Sequence, residues 1–567
     1  MTVTTASGQR IGGHVVVETL AALGANVAFG VPGVHALAMW EALRTNGEVK
    51  PIVTRTELCA GFAADGYARS SRRAAPLLLS TGPGALNSLT AMMEAASSHV
   101  PVVAISSQIP RELLGSRRGY LHKLDGQLAS FAPIVKHTAR AESAEAIPDL
   151  LARAWAIATA PPSGPVYLEI PVDVLRADAG LDPVAVPECE GEPDAATARP
   201  APPGAVTEAA RLLAEAARPV LWAGGGVLRS GGQRELLALA ERLDAPVLTT
   251  FMGKGAIDET HPLAVGSGCD ESAVLELLAH SDVVLCVGTE LGADTTAQYE
   301  LRFSGRLIHV DAAPERIGIS YPATALVGDA RATLRALGAA LSAPADGDGR
   351  RRDGDGRRRD GDGRRRDGAE RAAQVRDRIA AGLAAQSRDG ERALLSMIEA
   401  TLPADAITAW DMTILAYWAA AHLRMRRGQQ FLYPFGSGTL GYAWPAAIGA
   451  AVANPHRKVL AVCGDGGLAY GLAELASARQ HAVDATLLVV DDGGYGILRE
   501  YQRDDFGETV AVDLVQPDLL RTAEAFGVPA RSGGVEEATE NLAWGLEQDG
   551  PAVVVVKAHL ASALPTP

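Results

Sequence analysis

Short apolar runs alternate with amphipathic stretches along most of the chain. Between residues 11 and 174 the apolar runs include VAFGVPG, PLLLSTGPG and PVVAISS, separated by helical patterns such as ALAMWEAL and NSLTAMMEAASS. Strands that alternate with amphipathic helices predict a parallel sheet covered by helices on both faces. The alternation returns twice more along the chain, so we predict an α/β protein with three doubly wound parallel-sheet domains.

Changes in composition mark the predicted domain boundaries. We place an N-terminal domain at 10–180, a central Rossmann-like domain at 200–342 and a C-terminal domain at 385–565. The polar, proline-rich passage at 183–204 has the composition of a linker. GDGRRRD occurs three times in succession before the third domain, and we interpret 343–370 as a low-complexity linker that does not order.

Charge and hydropathy exclude several classes of protein. The 567 residues carry a formal net charge of -15, which disfavours sequence-independent attraction to nucleic acids and to anionic membranes. The arginine repeats do not change this, because residues 346–367 hold nine Arg against seven Asp. No stretch reaches the roughly 18 uninterrupted apolar residues of a membrane helix. We therefore expect neither a nucleic-acid nor a membrane partner.

The cysteines suggest a cellular compartment. The chain has five, far apart and without CxxC spacing. Neither a disulfide framework nor a zinc site is indicated, so a reducing cytoplasm is the simplest expectation.

The candidate chemistry begins in the third domain, where carboxylates follow two predicted strands. KVLAVCGDGG places Asp465 after one strand, and LLVVDDGGYG places Asp492 after the next. A strand, helix, strand unit brings both to the same edge of a parallel sheet, where open α/β sheets bind ligands. The amides of Gly466, Gly467 and Leu468 begin the predicted intervening helix and suit a phosphate.

Two readings of these motifs follow from the residues alone. GDG and DDGG are also common turn sequences, because Gly and Asp favour tight turns. Two carboxylates beside a phosphate-binding helix end instead indicate a Mg²⁺ diphosphate site.

The stretch from Gly464 to Gly496 resembles the GDG and paired-Asn motif of the thiamine-diphosphate-dependent enzymes related to acetolactate synthase, benzoylformate decarboxylase and other 2-oxo acid decarboxylases. The resemblance extends over all three domains, but not over the arginine repeats. It implies thiamine diphosphate as cofactor, with Mg²⁺ held by Asp465, Asp492 and the carbonyl of Gly494. The chain departs from the pattern because Asp491 and Asp492 stand where the family has Asn, which puts metal affinity and selectivity in question.

Glu57 is the candidate activating acid. It stands in VTRTELCAGFAADGYAR, before a predicted helix with many small residues. From the residues alone, it is equally a helix-start carboxylate that interacts with the helix dipole. The stretch is similar to the family's activating-glutamate motif, which implies a carboxyl group that donates a hydrogen bond to N1′ of the cofactor aminopyrimidine.

Two further segments resemble cofactor-contacting stretches of the family. FGSGTLGYAWPAAIGAA resembles the pyrimidine-binding segment, which implies that Leu440 bends the cofactor and that the Gly438 carbonyl and Leu440 amide contact the aminopyrimidine. Without the resemblance, Leu440 would be interpreted as a core residue. AWDMTILAYW is similar to the helix start near the diphosphate and contributes Met412 and Thr413.

The resemblance implies non-oxidative decarboxylation of a 2-oxo acid through a C2 ylid and an enamine, with release of CO2 and an aldehyde. GVPGVHALAMWEAL and GYLHKLDGQ look most similar to the 5-guanidino-2-oxopentanoate decarboxylase branch. Two alternatives remain: an acetolactate-synthase-like carboligase and a non-catalytic protein of the same fold. Family members share each site between two chains, so we expect a homodimer or a dimer of dimers.

The substrate pocket is predicted less completely. His35 and His122 are candidates for proton transfer, and each is equally well explained as a hydrogen-bonded core or surface histidine. Four more residues are assigned to the pocket or its surroundings: Val31; Ser80, at the position of a catalytic His in benzoylformate decarboxylase; Gln108, behind the site; and Arg499, for a substrate carboxylate or as an exposed helical residue.

FAD is expected to be absent. Acetolactate synthases carry it on the central domain, but HPLAVGSGCDES departs from their flavin segment and WAGGGVLRSGG is only a partial phosphate-loop signal.

Overall fold

A computed structural model describes residues 9–180, 198–341, 367–564 and 566. The predicted linker at 183–204 lies outside the described residues up to residue 197, and the GDGRRRD repeats lie outside them up to residue 366. Three parallel six-stranded sheets with flanking helices confirm the predicted α/β class.

The first sheet has the strand order β2-β1-β3-β4-β6-β5, and every pair in it is parallel. Its strands are Val27–Gly30 (β1), Lys50–Val53 (β2), Ala75–Leu79 (β3), Val102–Gln108 (β4), Thr138–Arg140 (β5) and Val166–Pro171 (β6). Its helices are Gly12–Ala22 (α1), Leu37–Asn46 (α2), Glu57–Ser71 (α3), Pro83–Leu86 (α4), Leu89–Ser97 (α5), Gln127–Phe131 (α6), Ile147–Thr159 (α7) and Val172–Arg176 (α8).

The central sheet has the order β12-β11-β10-β7-β8-β9. Its strands are Pro219–Ala223 (β7), Val247–Thr249 (β8), Ala264–Gly266 (β9), Val283–Val287 (β10), Arg306–Asp311 (β11) and Thr324–Val327 (β12). Its helices are Pro203–Glu215 (α9), Gly225–Arg229 (α10), Gln233–Leu243 (α11), Ser272–Ala279 (α12) and Ala330–Ala340 (α13).

The third sheet has the order β14-β13-β15-β16-β18-β17. Its strands are Ile407–Trp410 (β13), Gln430–Leu432 (β14), Val459–Gly464 (β15), Ala485–Asp491 (β16), Ala530–Gly533 (β17) and Ala552–Lys557 (β18). The helices after the repeats are Gly368–Ala384 (α14), Asp389–Thr401 (α15), Ile414–His422 (α16), Ala443–Ala453 (α17), Asp465–Leu468 (α18), Glu474–Gln480 (α19), Gly496–Phe506 (α20), Leu519–Ala525 (α21) and Ala538–Glu547 (α22).

Two helices differ from their sequence-based expectation. The single helix expected after Gly466 is divided into α18 and α19, with a turn at residues 469–473 between them. Helix α14 begins at Gly368, inside the range interpreted as a linker, and packs on the central domain. There Arg376 donates to the carbonyl of Pro262 at 3.0 Å.

Helices α3 and α17 join the first domain to the third through small residues. A Cβ atom placed on Gly66 would lie 2.1 Å from the carbonyl oxygen of Ala446, and one placed on Gly449 would lie 1.8 Å from that of Ala63. The two backbones therefore approach each other as only glycine permits. This crossing fixes the first sheet relative to the third.

Candidate active site

Glu57 is the first residue of α3, four positions after Val53, the last residue of β2. The side chain of Thr56 caps the helix by accepting from Cys59 N at 3.2 Å. The turn before it is held from the third domain, because Glu474 Oε1 accepts from Arg55 N at 2.9 Å. The carboxylate that begins α3 is therefore presented by a turn that two domains hold in place.

The half-buried carboxylate of Glu57 faces the turn after β3. Asn87 Nδ2 donates to Glu57 Oε2 at 3.2 Å. A Cβ atom placed on Gly84 would lie 3.2 Å from Glu57 Oε1 and 3.0 Å from Ser80 Cβ. Glycine at position 84 thus leaves room for the carboxylate beside Ser80.

His35, Ser80 and His122 surround the same turn. Atoms Nδ1 of His35, Oγ of Ser80 and Nδ1 of His122 are all buried without a hydrogen-bond partner. The two imidazole rings lie 5.3 Å apart between centroids. A Cβ atom on Gly33 would lie 2.4 Å from Ser80 Oγ, and one on Gly82 would lie 2.4 Å from the carbonyl oxygen of His122. Buried polar groups are normally hydrogen-bonded, so three unpaired atoms around one turn favour a ligand site.

Burial lowers the pKa of His35, and the neighbouring His122 lowers it further. His35 is 5% exposed, and Tyr120 stacks on it with ring centroids 5.7 Å apart. The neutral imidazole therefore dominates at neutral pH, and its unpaired Nδ1 is available to a polar ligand.

Gln108 and Gln127 support this turn from behind. Gln108, assigned to a position behind the site, is 1% exposed and donates to Glu169 at 3.2 Å. Gln127 Oε1 accepts from Gly82 N at 2.6 Å, while its Nε2 donates to Tyr167 at 2.8 Å. No sequence signal singles out Gln127, because only the fold places it under Gly82. Val31, also assigned to the pocket, directly follows β1 at the same edge.

Asp465 and Asp492 meet at the corresponding edge of the third sheet. The amide of Asp492 lies 3.5 Å from Asp465 Oδ1, and Oδ2 of Asp465 is buried without a partner. A Cβ atom on Gly466 would lie 3.0 Å from the carbonyl oxygen of Gly494, so that carbonyl borders the same loop. Asp491 ends β16 in register with Lys557 of β18.

The electrostatics of this pair suit a cation. Burial, followed by the charges of Asp492 and Asp491, raises the pKa of Asp465 to about 6. Burial also raises the pKa of Asp492, which Arg499 opposes. Within the described ranges no group of three His, Cys, Asp or Glu side chains could hold a metal. Two carboxylates and a main-chain carbonyl form a different, oxygen-only set that fits Mg²⁺, and the unpaired Oδ2 supports that fit.

Arg499 lies beside the carboxylate pair. Its Nε donates to Asp513 at 2.9 Å, and Nη1 and Nη2 lie 3.5 Å from the side chain and the carbonyl of Asp492. Only 12% of the Arg499 side chain is exposed, which argues against the alternative interpretation as an exposed helical residue. Its guanidinium offsets the second carboxylate.

The segment after β13 brings the predicted cofactor loops together. A Cβ atom on Gly438 would lie 3.8 Å from Met412 Cε, and one on Gly464 would lie 3.4 Å from Thr413 Oγ1. Leu440 is half-buried and thus outside the buried core. By contrast, Leu468 is 4% exposed and belongs to the core of the third domain.

Three family models match the chain in the order of the three sheets. The N-terminal thiamine pyrophosphate (thiamine diphosphate) binding domain matches residues 10–130, the central domain of these enzymes 206–337 and the C-terminal binding domain 411–556. The chain belongs to the thiamine pyrophosphate enzymes.

Curated thiamine pyrophosphate enzymes align over nearly the whole chain. A probable 2-ketoarginine decarboxylase of Pseudomonas aeruginosa is 37% identical to this chain. The alignment covers 96% of this chain and 93% of the relative. A probable acetolactate synthase large subunit of Methanocaldococcus jannaschii is 31% identical, with 98% and 93% covered. The acetolactate synthase isozyme 2 large subunit of Escherichia coli is 30% identical, with 95% and 94% covered.

In the central domain, the two loops that border the topological switch point of the sheet touch each other. Gly226 N donates to the carbonyl of Gly288 at 3.0 Å, and a Cβ atom on Gly224 would lie 2.2 Å from the same oxygen. The expectation that this thiamine pyrophosphate enzyme binds no FAD stays a prediction.

In the described part of the chain, no helix has both the length and the apolar character needed to cross a membrane.

Proposed function

We propose that this thiamine pyrophosphate enzyme is a Mg²⁺-dependent, non-oxidative 2-oxo acid decarboxylase that releases CO2 and an aldehyde. The main structural support is the buried, unpaired Oδ2 of Asp465 beside Asp492, a cation site at the edge where the family's cofactor segments meet. The substrate to test first is 5-guanidino-2-oxopentanoate, also called 2-ketoarginine, because the 37% identical relative is named for it.

In this proposal the third domain binds the diphosphate end of the cofactor. Asp465, Asp492 and the Gly494 carbonyl would hold Mg²⁺, and the main-chain N–H groups at the start of α18 would contact phosphate oxygens. The residues that contribute to this half of the site are Met412, Thr413, Gly464, Gly466, Gly467 and Leu468. When bound, thiamine diphosphate supplies a carbon nucleophile and an electron sink.

The first domain and the loop after β14 would orient the pyrimidine end. Glu57 would direct its carboxyl group at the ring nitrogen. The Gly438 carbonyl and Leu440 amide would hold the ring, and the half-buried Leu440 side chain would support it.

The turn around Ser80 would bind the substrate. His35 and His122 offer unpaired Nδ1 atoms, and Ser80 an unpaired hydroxyl, within one buried cluster. In this proposal an imidazole that has taken a proton from solvent would pass it to the product carbon, where it replaces the departing CO2. Val31 borders the pocket, and Gln108 supports it from behind.

Two chains would share each site. In family members one chain presents the activating Glu and the other the GDG segment, and this resemblance supports a homodimer or a dimer of dimers. A second copy would then present Asp465 and Asp492 to the Glu57 of its partner.

Carboligation is the second candidate activity. The relatives at 31% and 30% identity are named acetolactate synthases, and they align over as much of the chain as the decarboxylase does. In this case a second 2-oxo acid, rather than a proton, would enter the pocket at Ser80.

A panel of 2-oxo acids separates these activities. The purified chain with Mg²⁺ and thiamine diphosphate should release CO2 and the aldehyde one carbon shorter from 5-guanidino-2-oxopentanoate. Acetolactate formed from pyruvate would favour the carboligase instead. No turnover of any 2-oxo acid would exclude both decarboxylation and carboligation and would favour a non-catalytic protein of the same fold.

A further inference from the structure

Asp411 is a buried carboxylate directly after β13, with 1% of its surface exposed. Its Oδ1 accepts from Met412 N at 2.8 Å. Gly441 N donates to both oxygens, at 3.1 Å to Oδ1 and 3.0 Å to Oδ2. The main-chain N–H groups of Tyr442 and Ala443 also bond to this carboxylate. It therefore fixes the main chain that directly follows Leu440.

The opposite side of the carboxylate touches the diphosphate loop. A Cβ atom placed on Gly467 would lie 3.0 Å from Asp411 Oδ2 and 3.1 Å from Asp411 Cγ. Such distances are tighter than most real Cβ contacts, so a side chain at position 467 would require Asp411 to shift by a few tenths of an ångström. Asp411 thus lies between the loop of Gly438 and Leu440 and the loop of Asp465 and Gly467.

We propose that Asp411 is a positioning residue that sets the separation between the pyrimidine-contacting loop and the diphosphate-contacting loop. The inference rests on the cofactor of the proposed function, but not on its substrate. A ligand that bridges two loops binds tightly only when both are already held at the right separation, because ordering them during binding costs affinity. One carboxylate that accepts several main-chain N–H groups provides that rigidity.

The substitution Asp411→Asn keeps the size of the side chain but replaces one acceptor oxygen by a donor that faces N–H groups. The matched control is Asp311→Asn. Asp311 lies at the end of strand β11 in the central domain, and it likewise accepts a main-chain hydrogen bond, from Ala313 N at 2.8 Å. Thermal unfolding without cofactor shows whether each variant is folded.

Calorimetric titration then compares two ligands in the presence of Mg²⁺. Thiamine diphosphate needs both loops, whereas inorganic diphosphate needs only the diphosphate loop. In Asp411→Asn we expect the affinity for thiamine diphosphate to fall about tenfold or more, because buried N–H groups lose their acceptor. The affinity for inorganic diphosphate should stay within about threefold, whereas general destabilisation would weaken both ligands alike.

Gly467→Ala tests the other side of the contact and keeps the experiment decisive if Asp411→Asn is recovered unfolded. The added methyl group should press on Asp411 and displace the diphosphate loop, so both ligands should bind more weakly. An unfolding temperature without cofactor equal to that of the wild-type chain distinguishes this displacement from general destabilisation.

Unchanged binding of thiamine diphosphate by either folded variant would overturn the positioning role. The same loss in Asp311→Asn would also overturn it. A wild-type chain that binds the cofactor but decarboxylates nothing would overturn the proposed function and leave the role of Asp411 standing.

Discussion

The first and third domains have the same strand order, yet they present different chemistry at the same edge. The order β2-β1-β3-β4-β6-β5 corresponds strand by strand to β14-β13-β15-β16-β18-β17. Glu57 follows β2 as Gly438 follows β14, and Ser80 follows β3 as Asp465 follows β15. Topology therefore decides which loops meet, whereas the residues in those loops decide what each edge binds.

The difference between the two edges lies in their unpaired polar atoms. Around its site turn the first domain leaves Nδ1 of His35 and His122 and Oγ of Ser80 without partners, whereas the loop after β15 in the third domain leaves Oδ2 of Asp465 unpaired. Imidazoles and a hydroxyl suit proton transfer and substrate binding, while carboxylates suit a hard cation. The comparison teaches that one topology can carry two different sets of loop residues, one suited to proton transfer and one suited to a cation.

The largest effect is expected from Glu57→Gln, which removes the acid of the first domain. Turnover should fall by about a hundredfold or more, because a positioned acid or base contributes roughly that much. Binding of thiamine diphosphate should persist, because the proposed metal and diphosphate contacts are assigned to the third domain.

Steady-state CO2 release and calorimetry measure these two properties. Glu48→Gln, at an exposed position of the same domain, is the matched control. Full activity of Glu57→Gln would show that the activating acid lies elsewhere.

Asp465→Ala should produce the opposite pattern in the third domain. Loss of this ligand should abolish measurable Mg²⁺-dependent binding of thiamine diphosphate, and chelation of Mg²⁺ in the wild-type chain should have the same result. Calorimetry with and without a chelator checks both. Asp549→Ala changes an exposed carboxylate of the same domain and should bind normally. Cofactor binding that survives in Asp465→Ala would contradict the assigned metal site.

A smaller effect is expected from the histidines of the first domain. His35→Gln or His122→Gln should lower turnover about tenfold, less than loss of Glu57, because a second imidazole remains nearby. Cofactor affinity should not change. The exposed His456→Gln is the control. If either variant lost cofactor instead of turnover, the division of work between the two domains would be wrong.

The smallest effect is expected at Asp492 and Arg499. Asp492→Asn should retain Mg²⁺-dependent cofactor binding but weaken it a few-fold, because the site loses one negative charge beside a fixed guanidinium. Adding Arg499→Met restores the net charge and should return the affinity toward the wild-type value.

Mg²⁺ titrations of both single variants and the double variant measure this coupling. Arg503→Met, at an exposed position of the same helix α20, is the control. An affinity of the double variant no higher than that of Asp492→Asn would show that Arg499 does not offset the second carboxylate.

The positions of residues that belong to a strong local sequence pattern could be predicted from the sequence. The proximity of Asp465 and Asp492 follows from a strand, helix, strand unit, and the structure brings the two together. The fold class follows in the same way from alternating apolar runs. The division of the intervening helix into α18 and α19 was not predicted, because LAYGLAELASARQ satisfies a helical pattern on both sides of the break.

Asp411 and Gln127 show what local pattern cannot supply. Asp411 lies in the segment AWDMTILAYW, but Gly441, whose main-chain N–H it binds, is 30 positions away in the sequence. Gln127 supports Gly82 from 45 positions away. Neither pairing has a periodicity or a spacing rule, because the loops that carry them are joined only when their sheets form.

The sequence alone determined the three α/β units, the family and the residue types at each strand end, because apolar alternation and short motifs are local properties. The tertiary structure decided which of those residues share a site. It placed His35, Ser80 and His122 around one turn, left their polar atoms unpaired and set Arg499 against Asp492. These arrangements depend on how strands are ordered in a sheet and how closely loops approach, and neither is encoded in any short stretch of chain.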